Sequence, residues 1–321
     1  MTMTSRIFSL SLIAGMTLLF LSTVGANVLL DPEQVFGTGL YPHSVNANER
    51  VLHMRQYQQD ADSVDGLLFS SSRGMYFDSR QLEKGMGLSH FLAASMTYGM
   101  VSDYVPILEY VIRDKAARSV KLKHVFLLLD LDLLGRPPWT NSNINSFLPP
   151  EVSEESAARF WWRYLTAFQY RYWRDVIREG RQAEAAKGTT VRSPLPIEPE
   201  DHRRAWNVVR PDLERQLKLL ERLVALCRDN QVKLTVAISP LRARNLEQND
   251  PVKIEAIAER VARITPVWDF NFQRFFADNQ DYWVDNSHFT TKVASMMLAQ
   301  IFGEVHDATA PWGRLREKLA P

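Results

Sequence analysis

Apolar and polar positions along this chain fall into blocks whose lengths predict helices and strands in turn. Ile7 to Leu30 is almost uncharged and rich in Leu, Ile, Phe and Val, preceded by Arg6 and followed by Asp31-Pro32-Glu33. That run is long enough to cross a bilayer as a helix. With the basic side chain on the short N-terminal flank, the positive-inside tendency puts the N-terminus in the cytoplasm and the body outside. The competing reading is a signal peptide cleaved after Val24-Gly25-Ala26; the apolar run continues past that site through Val28, Leu29 and Leu30, which favours an uncleaved anchor.

Residues 31 to 62 are mixed, with Gly37, Gly39 and Pro42 predicting an extended lead-in and Glu49 to Gln59 a polar helix. Gly66 to Phe69 is a short buried-strand candidate that runs out at Ser70-Ser71-Ser72. Thr97 to Lys115 carries Tyr98, Val101, Val105, Leu108 and Ile112 near helical spacing, and Leu122 to Leu131 is a strand candidate centred on the apolar run Val125 to Leu129. After a long interruption, Asp212 to Arg228 predicts a helix and Lys233 to Ile238 a strand stopped by Ser239-Pro240. Glu255 to Arg263 predicts another helix, Thr265 to Trp268 a short strand, and Thr290 to Phe302 a final amphipathic helix. Strands alternating with helices predict an α/β fold with a parallel sheet covered on both faces. Reactive groups in such folds gather at the carboxyl ends of the strands. Ser72, Asp132 and Ser239 follow strand ends, and Asp285 and His288 precede the last helix, so one rim can hold them all.

The interruption, about residues 136 to 211, reads as a helical insertion capping a principal domain of residues 31 to 321, with residues 1 to 30 as the anchor. It opens with Pro137-Pro138-Trp139, continues through Trp161, Trp162, Tyr164, Phe168, Tyr170, Tyr172 and Trp173, and ends in a Pro-rich stretch at Ser193 to Pro199. Such aromatics fill a cap's own core and its contact with the sheet, or form a platform for sugar rings or a membrane interface.

Composition narrows the choice. The chain has 321 residues, 45% apolar and 23% charged, with a net charge of +1 and no basic stripe, so nothing points to nucleic acid. Cys227 is the single cysteine; it cannot form an internal disulfide, and among Leu219, Leu220, Leu223 and Leu226 it reads as a buried thiol. His90 and His124 lack metal-ligand spacing.

Candidate chemistry rests on two segments. Leu67-Leu68-Phe69-Ser70-Ser71-Ser72-Arg73-Gly74 places a serine where an apolar strand runs out, and Asp285-Asn286-Ser287-His288-Phe289 places an Asp three residues before a His on a turn. A serine hydroxyl is a weak nucleophile that needs a base within reach, and the base needs an orienting carboxylate. His288 and Asp285 can supply both. Arg73, beside the serine, is expected either to bind an anionic substrate group or to pair with a carboxylate. Asp130 and Asp132 follow at the end of the Val125 to Leu129 run, with Asp132 expected near the site.

These blocks, with Ile238-Ser239-Pro240, Val267-Trp268-Asp269-Phe270 and Tyr282-Trp283-Val284, resemble the SGNH/GDSL hydrolase superfamily from about Asn27 to Gly303, apart from the insertion. More narrowly they are similar to its membrane-anchored bacterial members with a Gly-Ser-Ser-Arg first block, among them D-alanyl transfer proteins of teichoic acid modification and exopolysaccharide O-acetylation proteins. The resemblance implies a flavodoxin-like three-layer α/β/α sandwich, Ser72 as nucleophile, His288 as base, Asp285 as its partner, and no cofactor or metal. Arg73 through its N–H, Ser95 and Asp132 become oxyanion or substrate candidates. It further implies an O-acetyltransferase or acetylesterase, outside the cytoplasmic membrane on the periplasmic side, acting on a carbohydrate or cell-envelope polymer beside a membrane-bound O-acyltransferase. The chain departs from the family at Ser70, where Gly is usual, in its second block, which has no Gly before Gly99, and in its third, where Asp130-Leu131-Asp132 replaces the oxyanion Asn. Those departures keep a second reading open: a non-catalytic accessory protein that binds a polysaccharide or the acyltransferase.

Overall fold

The computed structural model describes residues 3–40, 47–135, 146–185, 212–303 and 312–317. Packing divides the chain into two units: residues 1–54 with 142–192, and residues 55–141 with 193–321.

In the first unit, α1 (Met3–Leu30) is one continuous helix, long and apolar enough to cross a membrane between Ser5 and Leu30. The start of α2 (Glu49–Gln59) belongs to this unit, as do α6 (Pro150–Ser153), α7 (Ala157–Thr166) and α8 (Tyr170–Ala185). The described part of the expected insertion therefore packs with the N-terminal residues; its remainder, 136–145 and 186–211, lies outside the described residues, as does Pro42. Phe160 and Tyr164 of α7 join Val35 and Val51 in a small core. Asn27 Nδ2 donates to the Leu165 and Ala167 carbonyls at 3.0 and 2.8 Å, and Trp173 Nε1 donates to Asn27 Oδ1 at 2.8 Å.

The second unit is built on a six-stranded sheet. β1 (Gly66–Ser71), β2 (Phe91–Met96), β3 (His124–Leu129), β4 (Lys233–Ile238) and β5 (Val267–Asp269) run parallel in the order β2-β1-β3-β4-β5, and β6 (Arg314–Arg316) pairs antiparallel with β5. β1 and β3 are buried at every position, as strands of a parallel sheet covered on both faces must be. On one face Leu68, Phe126 and Ala237 pack with Leu82 of α3 (Ser79–Met86) and with Val293 and Met297 of α12 (Thr291–Ile301). On the other, Phe69 stacks on Tyr104 of α4 (Val101–Ala117), ring centroids 5.2 Å apart. Against α4 lies α9 (Leu213–Asp229), followed by α11 (Pro251–Ile264). The short α5 (Leu131–Leu134) and α10 (Ala243–Gln248) sit just beyond the carboxyl ends of β3 and β4. Cys227 is buried on α9, where the apolar surroundings push its thiol up to about 12.

Three elements escape the hydrophobic pattern. The α3 helix is specified by its ends: Asp78 accepts from Arg80 N, and Gly87 closes it at φ +67°. Phe91-Leu92-Ala93-Ala94-Ser95-Met96 has no β-branched residue, so its strand conformation is imposed by pairing along the whole of β1. β6 is only three residues long, held where Arg316 pairs with the buried Asp269 and with Glu255.

One carboxyl group in the first unit makes stability depend on pH. Glu33 is fully buried, and its two oxygens make no hydrogen bond of good geometry. Burial, with a smaller push from Asp31, raises its pKa from 4.5 to about 8 against a lowering by Gln169. A raised acid favours folding below its unfolded pKa, and that contribution is lost as pH climbs through the folded value. Thermal unfolding of the full chain in detergent should therefore weaken between about pH 4.5 and pH 8. Glu33→Gln should flatten that slope; an unchanged slope in the variant would assign the dependence elsewhere.

Candidate active site

The β1 strand ends in three hydroxyls with three different jobs. Ser70 Oγ, fully buried, donates to Ser95 Oγ at 2.8 Å across the β1–β2 pair. Ser71 caps a 3-10 turn, Ser72–Tyr76, accepting from Arg73 N at 3.2 Å and donating to Asp130. Ser72, first in the turn, is partly exposed. The turn folds back tightly: a Cβ on Gly74 would lie 1.8 Å from Ser70 Oγ and 2.4 Å from Ser70 Cβ, so only glycine fits.

Ser72 meets the far end of the sequence. Its Oγ lies 2.9 Å from His288 Nε2, and His288 Nδ1 lies 2.7 Å from Asp285 Oδ2. The pair is local: Asp285 Oδ1 also accepts from Ser287 N and His288 N at 2.6 and 2.7 Å, the turn that Asp side chains favour. A bridge between Trp283 and Phe289 closes the loop, Val284 N donates to His288 O at 2.8 Å, and Trp283 Nε1 donates to Phe276 O at 2.8 Å. Burial pushes the Asp285 carboxyl up, but the His288 ring and the two N–H donors more than reverse this, to about 2 from an ordinary 3.8. Asp285 therefore stays ionised throughout neutral pH, as an orienting partner for the imidazole must.

Arg73 does not face the solvent. Its guanidinium is 3% exposed and grips Asp132 with both terminal nitrogens, at 2.7 and 3.0 Å. The same group lies 3.0 Å from Asp130 and donates to Ser239 Oγ at 3.3 Å, to Ser287 O at 2.9 Å and to Ser287 Oγ at 3.3 Å. Burial opposes its charge, but the two aspartates outweigh it. Of the two roles expected for the side chain, pairing with carboxylates is the one observed. The Arg73 N–H expected to hold an oxyanion is instead donated to Ser71 Oγ. Asp130 and Asp132 act together: β3 stops at Leu129, and the turn into α5 brings both carboxylates onto one guanidinium.

A cavity of about 460 Å³ opens over Ser72 and His288. Asp132 reaches its wall; Ser95, bonded to Ser70, does not line it. Tyr98, Met75, Asn245 and Asn286 do, and sequence reasoning singled out none of them for chemistry. Asn286 lay inside the Asp285–His288 block in plain view. Arg242 donates to Asn286 Oδ1 at 2.6 Å and Asn245 Nδ2 to Asn286 O at 2.9 Å. Because arginine only donates, this fixes which end of the Asn286 amide is oxygen and leaves its N–H₂ group as a donor. Gly99 N is committed to Met96 O at 2.8 Å. His124 bonds Thr235 Oγ1 at 2.9 Å at the opposite end of the sheet, its pKa lowered by burial to about 4.

The Arg73 cluster generates a direct stability test. Removing the cation in Arg73→Gln leaves Asp130 and Asp132 buried without it, and breaking such a pair typically costs about 3–5 kcal/mol. Urea unfolding of the full chain should show a loss of that order, with Arg73→Lys recovering only part, since an ammonium cannot reproduce the fork. A loss within about 0.5 kcal/mol, typical of an ordinary surface change, would show that the cluster is not what holds these strand ends.

Among known proteins, no family model matches this chain, and no curated protein matches it.

Proposed function

We propose that this protein is a membrane-anchored serine acyl-transfer enzyme of SGNH type, an O-acetyltransferase or acetylesterase acting outside the cytoplasmic membrane on a carbohydrate or cell-envelope polymer. The observation that carries the reading is the relay from Ser72 Oγ to His288 Nε2 at 2.9 Å and from His288 Nδ1 to Asp285 at 2.7 Å. Serine, base and orienting carboxylate lie within hydrogen-bond reach and open on a cavity. The strand order 2-1-3-4-5 is that of flavodoxin-like sheets, as the SGNH resemblance implies. The unbroken α1 and the ties of Asn27 to the rest of its unit favour an uncleaved anchor.

In the proposed reaction, Ser72 Oγ attacks the acyl carbonyl while His288 Nε2 takes the hydroxyl proton. The resulting imidazolium is held by Asp285 and returns that proton to the departing alcohol oxygen, leaving an acyl-serine. An acceptor hydroxyl, from water or a sugar, then repeats the sequence in reverse. With Arg73 N–H already used, the Asn286 N–H₂ group, fixed by its amide on the cavity wall, is a side-chain donor that could assist the oxyanion.

One observation favours the alternative, an accessory protein that keeps the fold and binds a polymer or an O-acyltransferase: the backbone donor expected beside the nucleophile is occupied. Hydrolysis of p-nitrophenyl acetate by the full chain in detergent separates the two. Ser72→Ala and His288→Ala should abolish the activity, and Asp285→Asn should lower kcat by about 10⁴, the cost of the wrong imidazole tautomer in such triads. Folded wild-type protein with no activity, or activity that persists in Ser72→Ala, would count against the enzyme reading.

A further inference from the structure

The aromatic stretch of the first unit is not used by the chemistry, and its placement has a physical consequence. From Arg6 to Ser22 the surface of α1 is exposed, with Ser9 alone partly covered; from Thr23 onward the helix becomes sheathed, with Thr23 and Asn27 buried. The sixteen residues from Ile7 to Ser22 give about 24 Å of helix, some 6 Å short of a hydrocarbon core about 30 Å thick. The missing length coincides with α7 and α8. Trp162 of α7 lies against Phe20 of α1, ring centroids 6.0 Å apart, so the sheath begins at a depth the bilayer still covers. Around it Trp162, Phe168 and Tyr170 are 59%, 68% and 63% exposed, far more apolar ring surface than a water-facing helix pair needs.

The charge pattern matches. Between Arg159 and Arg181 there are six arginines and two acids. On α8 the residues Arg171, Arg174, Arg178 and Arg181 are exposed and recur along one face, beside Tyr170. Asp175 pairs with Arg174 and Arg178 at 3.1 and 3.3 Å and offsets only part of that charge.

We infer that α7 and α8 form a collar that lies in the membrane interface around the emerging α1, with Trp162, Phe168 and Tyr170 sunk to the headgroup level and the arginine face of α8 against anionic lipid headgroups. A helix in this position buries its apolar side by about 5–10 Å, the depth needed to complete the span. Aromatic rings with polar tips are the side chains suited to that level, and exposed arginines gain from a negative surface. The inference needs α1 to cross the membrane and is independent of what Ser72 does.

The test uses the full chain reconstituted in phosphatidylcholine vesicles with or without phosphatidylglycerol. Cys227 is buried with an unreactive thiol, so an environment-sensitive probe can be placed singly at Ile13→Cys, Trp162→Cys, Phe168→Cys or the exposed Val252→Cys. Probes at 162 and 168 should be quenched by nitroxide lipids labelled near the headgroup, more strongly with phosphatidylglycerol, and shielded from aqueous iodide. Exchanging Arg171, Arg174 and Arg178 for Glu should remove the phosphatidylglycerol increment while the probe at 13 stays quenched by deeply labelled lipids. If the probe at 13 is deep but those at 162 and 168 meet iodide as freely as the one at 252, the collar is off the membrane and the inference fails. Shielding that appears only on adding a soluble polysaccharide would also overturn it, assigning the face to polymer binding.

Discussion

A single buried guanidinium sets the geometry of the rim that carries Ser72. Arg73 follows Ser72 in sequence, so anchoring one anchors the other. Its five N–H donors are spread over Asp132 and Asp130 beyond β3, Ser239 beyond β4 and Ser287 in the Asp285–His288 turn. The carboxyl ends of three neighbouring strands and the loop carrying His288 thus share one planar fork. Lysine could not make these bonds at fixed angles. The arrangement is costly to assemble in a dry environment, which is why its remaining lone pairs are filled as well: Ser71 and Ser239 both donate to Asp130. A partly satisfied network here would destabilise the rim.

Asp130 and Asp132 place carboxylates at the cavity wall, both bound to Arg73, and Asp285 adds another behind the imidazole. In the proposed reaction Asp285 would favour the imidazolium formed as Ser72 gives up its proton. The Ser70 departure finds a structural explanation too. Ser70 faces Ser95 across the sheet and donates its hydroxyl to it; the pair packs against Gly74 and lines no part of the cavity.

Much of this was legible in the residues because the strongest signals are local. The buried runs at 66–69, 122–131 and 233–238 overlap or coincide with β1, β3 and β4, and the polar helix at 49–59 coincides with α2. The Asp285–His288 pair was readable because a three-residue spacing on a turn fixes its own geometry. What was hidden depends on partners distant in sequence. β2 is a strand only because β1 lies beside it, and Asp130 and Asp132 are drawn together by a guanidinium carried on a different strand end. Arg73 could be narrowed to two roles but not assigned, since the choice between substrate and carboxylate rests on burial. Asn286 escaped notice because its amide acquires a direction from Arg242, forty-four positions away.

The end of α1 shows the same limit in another solvent. Hydropathy counts Ile7 to Leu30 as one run, since Asn27 is a single polar residue among apolar neighbours. The structure splits that run at Thr23, because Asn27 spends its amide nitrogen on the Leu165 carbonyl at the end of α7 and the Ala167 carbonyl just after it, and its oxygen on Trp173. An asparagine facing hydrocarbon would leave those groups unpaired, at a cost of several kcal/mol. Sheathed by α7 and α8, it ties the helix to the folded body. The apolar length of a segment sets an upper bound on its lipid-facing part, and the first buried polar side chain with protein partners marks where that part ends.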